Sequence, residues 1–488
     1  MQEPARKMCN IAFEGCCHGE LNKIYRAVEQ LQHKIDLVII GGDFQAVRNY
    51  SDLQSMSVPP KYARLGDFAD YYSGKKKAPV LTIFIGGNHE ASNYLSELFY
   101  GGWVAPNIYY MGAANVLTFK GLRIGGLSGI YNEKHYNMGH HERVPYNADT
   151  LRSVYHVRQF DVMRMYMTST RFEFMLSHDW PRGIEHHGKL KKLLFKKPHF
   201  REDVEKGEIG SPPMMTLLKY IKPKYWWSSH LHVKYAAMVR HQTLKRKRKN
   251  RAQESEEDFA AEVPLADGYM RTHFLSLDKC VKGRNFIQLT RVPYESEQGL
   301  CYDPEWLAMT KALEPYMSWE REGSNKFTHR EDRDKLIDEI RKQKRWVHDN
   351  IVMKGKLKIP QNFQISAPVV DHSQEKIWQR LPFPIEYKNN QTQEFCDLLQ
   401  MENRVYKGPA KPQSRAKGVA KGVVSESAGN TAAEAPDEDE LEESPAGLYS
   451  LDEEVVAESA GNAAAEAQDE AKPEVTPESA GDDMEQDK

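Results

Sequence analysis

At 488 residues the chain exceeds one ordinary domain, and about 100 to 200 residues per domain predicts two or three. Hydrophobic residues make up 40% and the mean hydropathy is -0.68, with no stretch near the roughly 18 consecutive apolar residues that a membrane helix needs. The formal net charge of -2 hides a segregation: residues 426–488 carry 21 Asp and Glu against two Lys, leaving -19 there and +17 over residues 1–425. A basic body with an acidic tail predicts a polyanionic partner, nucleic acid first.

The N-terminus, MQEPARKMCNIAFEG, has no charged stretch followed by an apolar one, so no secretory signal is expected. Six scattered cysteines, Cys9, Cys16, Cys17, Cys280, Cys301 and Cys396, make neither a disulfide framework nor a CxxC zinc ribbon. The expected location is cytosolic or nuclear.

The ordered part begins with strand-like CNIAFEG. An amphipathic run follows from Glu20 to His33, with Leu21, Ile24, Val28 and Leu31 at helical spacing. IDLVIIGGD and PVLTIFIGGNHE are apolar strands ending in glycine and polar residues. Val116 to Leu127, Phe172 to Ser177, Tyr225 to Ser229 and Val233 to Val239 are further strand candidates. Buried strands alternating with helical stretches predict an α/β sheet fold with its ligands at the strand ends. KRKRKNR running into ESEEDFAAE predicts a charged, solvated loop over 241–263, which bounds residues 1–240 from a segment over 264–406. That segment holds strand-like MRTHFLSL and NFIQLTRV and helical runs around Trp306 and from Lys335 to Trp346. From 407 to 488 the chain turns basic and then acidic, with ESAGN or ESAGD recurring at Glu426, Glu458 and Glu478, and is expected to be disordered.

Five segments each leave metal-liganding side chains just after an apolar strand: Cys16 and His18, Asp43, Asn88 and His89, His178, then His230 and His232. Two divalent ions need a carboxylate to bridge them, with imidazoles and an amide oxygen to fill their shells. Asp43 is the only carboxylate among the five and so the expected bridge. Taken singly, His18 or His178 is more often a hydrogen-bonded structural histidine, Asp43 a cap and Asn88 a turn residue. Five such segments in one setting are not explained that way.

GGDF, GGNHE, LSHD and SSHLHV resemble the ordered blocks of the calcineurin-like metallophosphoesterases. The first block of that family usually reads Asp-x-His; here it reads Cys16-Cys17-His18. With that exchange, EGCCHGELNKIY is similar to the lariat debranching branch, as are GGDFQAVRN, GNHEASNYL, SGIY, YHVR, LSHDWPRGI and WWSSHLHVKYAA, over residues 9 to about 300. The resemblance implies an αββα sandwich with a C-terminal extension. It also implies a metal-dependent hydrolase of the 2′-5′ phosphodiester in branched intron RNA, yielding linear introns for turnover. Carried over residue by residue, Cys16, His18 and His232 hold one ion, Asn88, His178 and His230 the other, and Asp43 bridges. His89 is then placed to protonate the departing ribose 2′-oxygen. A thiolate ligand favours Fe²⁺ and Zn²⁺, with Mn²⁺ able to substitute. Cys17 is expected to be a small buried residue and not a second ligand.

Residues 128–158 interleave aromatic and histidine rings with basic side chains, as single-stranded RNA recognition requires. They resemble the recognition loop of that branch, with Tyr131, His135, Tyr136, Tyr146, Tyr155, His156 and Arg158 as candidate RNA contacts. The run Lys245 to Arg251 suits nuclear import or an RNA-backbone patch, and a nuclear location with shuttling is expected. The acidic tail is expected to serve solubility or to contact basic proteins, and the chain to be a monomer. The rival classes are a scaffold without ligands, a phosphomonoesterase and a DNA repair nuclease. The last should keep Asp in its first block, which this chain does not.

Overall fold

The computed structural model describes residues 7–31, 33–241, 268–323 and 330–408. The basic run Lys245 to Arg251 and the tail from 409 onward lie outside these residues. Among the described residues thirteen strands form two sheets: β1 (Met8–Glu14), β2 (Leu37–Ile40), β3 (Thr82–Phe84), β4 (Gly102–Ala105), β5 (Ile108–Tyr110), β6 (Ala114–Phe119), β7 (Leu122–Leu127), β8 (Phe174–Ser177), β9 (Tyr225–Ser228), β10 (Tyr235–Arg240), β11 (Arg271–Ser276), β12 (Ile287–Pro293) and β13 (Cys301–Tyr302). The first sheet runs β12-β1-β2-β3-β5-β4 and the second β10-β11-β9-β8-β7-β6-β13.

Strand residues alternate between two apolar layers, because successive side chains point to opposite faces. Leu37 and Ile39 join Phe13, Ile83, Ile124, Leu176 and Trp227 in the core between the sheets. Val38 and Ile40 face outward onto Leu21, Ile24 and Val28 of the helix Leu21–Glu29. On the second sheet Met175 and Trp226 face outward onto Val162, Leu217 and Leu218 of the helices Gln159–Tyr166 and Pro212–Ile221. The result is a helix-sheet-sheet-helix sandwich, the expected αββα arrangement.

Two departures from the sequence reading have local causes. Val116 to Leu127, expected as one strand, is the hairpin β6–β7, turning at Lys120 (φ 51°) and Gly121 (φ 82°). Two central residues with positive φ match the twist of a tight hairpin, and Lys-Gly is a weak signal beside Asn-Gly. Strands β4 and β5, joined at Pro106 and Asn107, went unpredicted.

The segment after 264 is built into both sheets. β12 pairs antiparallel with β1 along its whole length, and β11 lies between β9 and β10. The helix Pro304–Leu313 is tied to β7 by ion pairs: Arg123 donates to Asp303 at 2.8 Å and to Glu305 at 3.0 Å, and Lys344 donates to Glu305 at 2.6 Å. Burial raises the Glu305 carboxyl, but Arg123 and Lys344 outweigh it and hold the group at about 2, against an ordinary 4.5. A depressed folded-state pKa stabilises fully above the unfolded value and is lost as pH falls from there through the folded one. Glu305→Gln is therefore expected to lower the urea midpoint more at pH 7 than at pH 3. An equal drop at both would remove charge from the explanation.

Candidate metal centre

Strands β1, β2 and β3 run parallel, as do β7, β8 and β9, so their carboxyl ends gather on one edge of the sandwich. Cys16 and His18 follow β1, Asp43 follows β2, Asn88 and His89 follow β3, His178 follows β8, and His230 and His232 follow β9. The two sheets thus bring together all five segments singled out in the sequence.

Ligand atoms of Cys16, His18, Asp43 and His232 all lie within 4.8 Å of one another. The Nε2 atoms of His18 and His232 are 3.2 Å apart, and His18 Nε2 is 3.8 Å from Asp43 Oδ2. Across Asp43, His178 Nε2 lies 3.4 Å from Asp43 Oδ1 and 3.3 Å from Asn88 Oδ1. His230 stands beside it, with ring centroids 5.1 Å apart. Asp43 is 1% exposed, yet its Oδ2 has no hydrogen-bond partner among the described residues. A buried carboxylate oxygen without a donor, facing converging imidazoles and a thiol, fits a divalent cation.

The electrostatics agree. Burial pushes the Cys16 thiol well above its ordinary range, and the Asp43 charge adds to this. A thiolate there requires a cation to replace the proton. Burial lowers His18 to about 4, so its ring is neutral and offers a lone pair at physiological pH. Asp43 is raised by burial, but His178, His89 and His18 together hold it well below the usual carboxylate range. Cys16→Ser is expected to lower metal affinity by at least the roughly 10–100-fold that loss of an outer-shell partner costs. It should also shift preference toward Mn²⁺ in elemental analysis of the purified protein. Unchanged metal content would remove Cys16 from the ligands.

Backbone strain marks the same residues. His18 (φ 45°), Asp43 (φ 48°), Gln45 (φ 62°), His230 (φ 62°) and His232 (φ 47°) are all in the left-handed region. Each such conformation costs on the order of 1–3 kcal/mol and persists where the surrounding structure over-determines it. The glycines of the GGD and GGNHE blocks have a steric purpose: a Cβ on Gly42 (φ 123°) would lie 2.1 Å from His178 Nδ1. His178 is aimed by Gly41 O at 2.8 Å and Ser229 Oγ at 3.0 Å, leaving Nε2 for the centre.

A calcineurin-like phosphoesterase model matches residues 9–234, and a model of the lariat debranching enzyme C-terminal domain matches residues 270–404. Lariat debranching enzyme A of Xenopus laevis is 45% identical over 400 residues, covering 80% of this chain and 70% of its own. The enzyme of Schizosaccharomyces pombe is 40% identical over 460 residues, covering 82% and 97%. The human enzyme is 42% identical over 401 residues, covering 80% and 68%. The chain belongs to the lariat debranching enzymes.

In this debranching enzyme His89 is anchored by its backbone, whose N–H donates to Asp43 Oδ1 at 2.9 Å, and its ring lies 5.8 Å from that of His18. The loop over 128–158 sits on the same edge. Tyr131 N donates to Asp179 at 3.1 Å, and the Tyr131 and Tyr136 rings are 5.4 Å apart. His135 and His156 stack at 4.8 Å with their Nδ1 atoms 2.7 Å apart. Tyr146 and Tyr155 are half-buried, with hydroxyls 3.3 Å from Ser96 Oγ and 3.4 Å from Ser57 Oγ. Arg158, a candidate RNA contact, is instead wholly enclosed. It donates to Glu142 at 2.5 Å and to the carbonyls of Gly139, His156 and Ser153, and so ties the loop together from within.

Several charged residues inside the motif blocks went unassigned in the sequence. Glu90 accepts the backbone N–H groups of Phe44, Gln45 and Gly87, locking the Asp43 loop to the Asn88 loop. Burial, then the Asp43 charge, pushes it up to about 7. Arg48, fully buried, pairs with Asp52 at 2.8 Å and Glu97 at 3.0 Å, and sits 4.2 Å from the Tyr94 ring centroid. The signal for both was only their place inside the blocks GGDFQAVRN and GNHEASNYL, which names no partner. Cys17 is fully buried behind the site, as expected.

Proposed function

We propose that this chain hydrolyses the 2′-5′ phosphodiester at the branch point of excised intron lariats, using two divalent ions, and releases a linear intron. The observation that carries this is the packed group of Cys16, His18, Asp43 and His232 at the strand ends, next to an aromatic and histidine-rich loop. In this reading Cys16, His18 and His232 hold one ion, Asn88, His178 and His230 the second, and Asp43 both. When bound, such a pair supplies Lewis acidity and generates a nucleophile from water at neutral pH. The chain's own residues do the rest. His89 delivers a proton to the departing 2′-oxygen, leaving a 2′-hydroxyl on one product and a 5′-phosphate on the other. Gln45 and Glu90 keep the two ligand loops in register.

Tyr131, His135, Tyr136, Tyr146 and Tyr155 are proposed to receive the bases around the branch, by stacking that any base supports, with His156, buried against His135, backing them. Arg158, being enclosed, is proposed to shape that loop. The mixed thiolate, imidazole and oxygen donor set supports Fe²⁺ and Zn²⁺, with Mn²⁺ as a substitute. A nuclear location and a monomeric state remain the expectation. Among the described residues no helix is long and apolar enough to cross a membrane.

The test is hydrolysis of a short RNA holding one 2′-5′ linkage among 3′-5′ linkages, with Fe²⁺, Zn²⁺ and Mn²⁺ supplied separately. Selective loss of the 2′-5′ bond is the expected result, and the same assay ranks the metals. Cleavage of the 3′-5′ bonds would overturn the substrate reading.

A further inference from the structure

Arg143, on the 128–158 loop, is equipped for a ligand that the metal centre does not account for. Its Nη1 donates to the Val405 carbonyl at 3.0 Å, and its guanidinium lies 5.3 Å from the Trp319 ring centroid. Its Nε and Nη2 are buried and have no acceptor among the described residues. Trp319, 5% exposed, leaves its indole Nε1 without an acceptor as well. Both line one cavity of about 80 Å³ that begins at Gly87 and Glu90, next to Asn88, and runs past Tyr155.

The carboxylates in its wall are already engaged: Glu90 by backbone amides, Glu142 by Ser153 and Arg158, Asp161 by His140 and Arg164. Arg143 Nη1 also stands 4.0 Å from the Glu386 carboxylate, and what remains without a partner among the described residues is Arg143 Nε and Nη2, the Trp319 indole N–H and the Ser92 hydroxyl. Donors of this kind, one a planar fork already held against a ring and a carbonyl, call for an anion with adjacent oxygens.

We propose that this cavity receives a non-scissile phosphate of the RNA beside the branch. Arg143 Nε and Nη2 grip its non-bridging oxygens, and the Trp319 indole N–H adds a third donor. The inference rests on the debranching reading and deepens it: Arg143 and Trp319 select a branched strand by a phosphate that a simple phosphodiester lacks. Because the cavity starts at the loop that carries Asn88, RNA held at the metal centre enters it directly.

The test is equilibrium binding of a short branched RNA to the full chain carrying His89→Ala, so that turnover is slow on the timescale of binding. Each phosphate around the branch is replaced in turn by a neutral methylphosphonate, with and without Arg143→Gln. Loss of a charged hydrogen bond predicts about 10- to 100-fold weaker binding for Arg143→Gln. At one phosphate position the methylphosphonate should weaken binding with Arg143 present and cost nothing further in Arg143→Gln. Trp319→Phe, which keeps the packing and removes the N–H, should weaken binding by about tenfold and couple to the same position. It decides the matter if Arg143→Gln does not fold. Additive losses at every position would overturn the proposal. Tighter RNA binding by Arg143→Gln would overturn it too, giving the cavity to a carboxylate of the chain's own tail, which leaves next to Val405. Failure of the wild-type chain to cut a 2′-5′ bond would sink the debranching reading separately, since the coupling is read from binding alone.

Discussion

His89→Ala is expected to reduce turnover of a branched RNA by about 10²–10⁴-fold, the usual contribution of a positioned general acid, while binding stays near wild type. The structure separates the two roles that this residue could have. Its backbone N–H holds Asp43 Oδ1 at 2.9 Å, and that bond survives any side-chain change. Its ring stands outside the packed group of Cys16, His18, Asp43 and His232, at 5.8 Å from His18, and the residue is half-buried. A substrate whose 2′-oxygen is replaced by sulfur leaves without needing a proton. It should be cut by His89→Ala at nearly the wild-type rate. An equal loss on both substrates, or loss of metal from the variant, would move His89 out of proton transfer.

The second large effect is expected from Gly87→Ala, a change of one methyl group in the loop that carries Asn88. Its Cβ would lie 2.2 Å from Asp43 Oδ1, 2.5 Å from Asp43 N and 2.7 Å from His178 Cε1. None of these neighbours can give way, since two belong to buried Asp43 and the third to the His178 ring held by Gly41 and Ser229. The ligand loops must therefore separate. A misplacement near 1 Å can cost about 10²-fold in rate, and metal content should fall with it. Gly299→Ala is the matched control, because a Cβ there meets nothing within 4 Å. Both metals retained in Gly87→Ala at wild-type turnover would mean that the two loops are not fixed relative to each other as described.

How much of this was legible beforehand follows from where each constraint acts. The grouping of Cys16, His18, Asp43 and His232 was readable because metal chemistry admits few residue types and each of these residues follows a short apolar strand. Cys16 in place of the usual Asp was equally plain, being a local exchange inside a motif. The αββα arrangement came from the family resemblance, and the alternating burial of β2 and β8 agrees with it.

The sequence by itself therefore determined which liganding side chains follow the strands, their order and the aromatic loop, all properties of side-chain type and short-range pattern. Only the tertiary structure decided that the chain after 264 is woven into both sheets, with β11 set between β9 and β10, since such pairing joins residues tens of positions apart. It alone turned Arg158 inward onto Glu142 and left Arg143 with unpaired donors facing a cavity walled by Trp319. The direction of a side chain is set by what packs around it, and for these two arginines that includes residues from 139 to 405. No local pattern distinguishes a basic side chain that binds RNA from one that holds the loop in place.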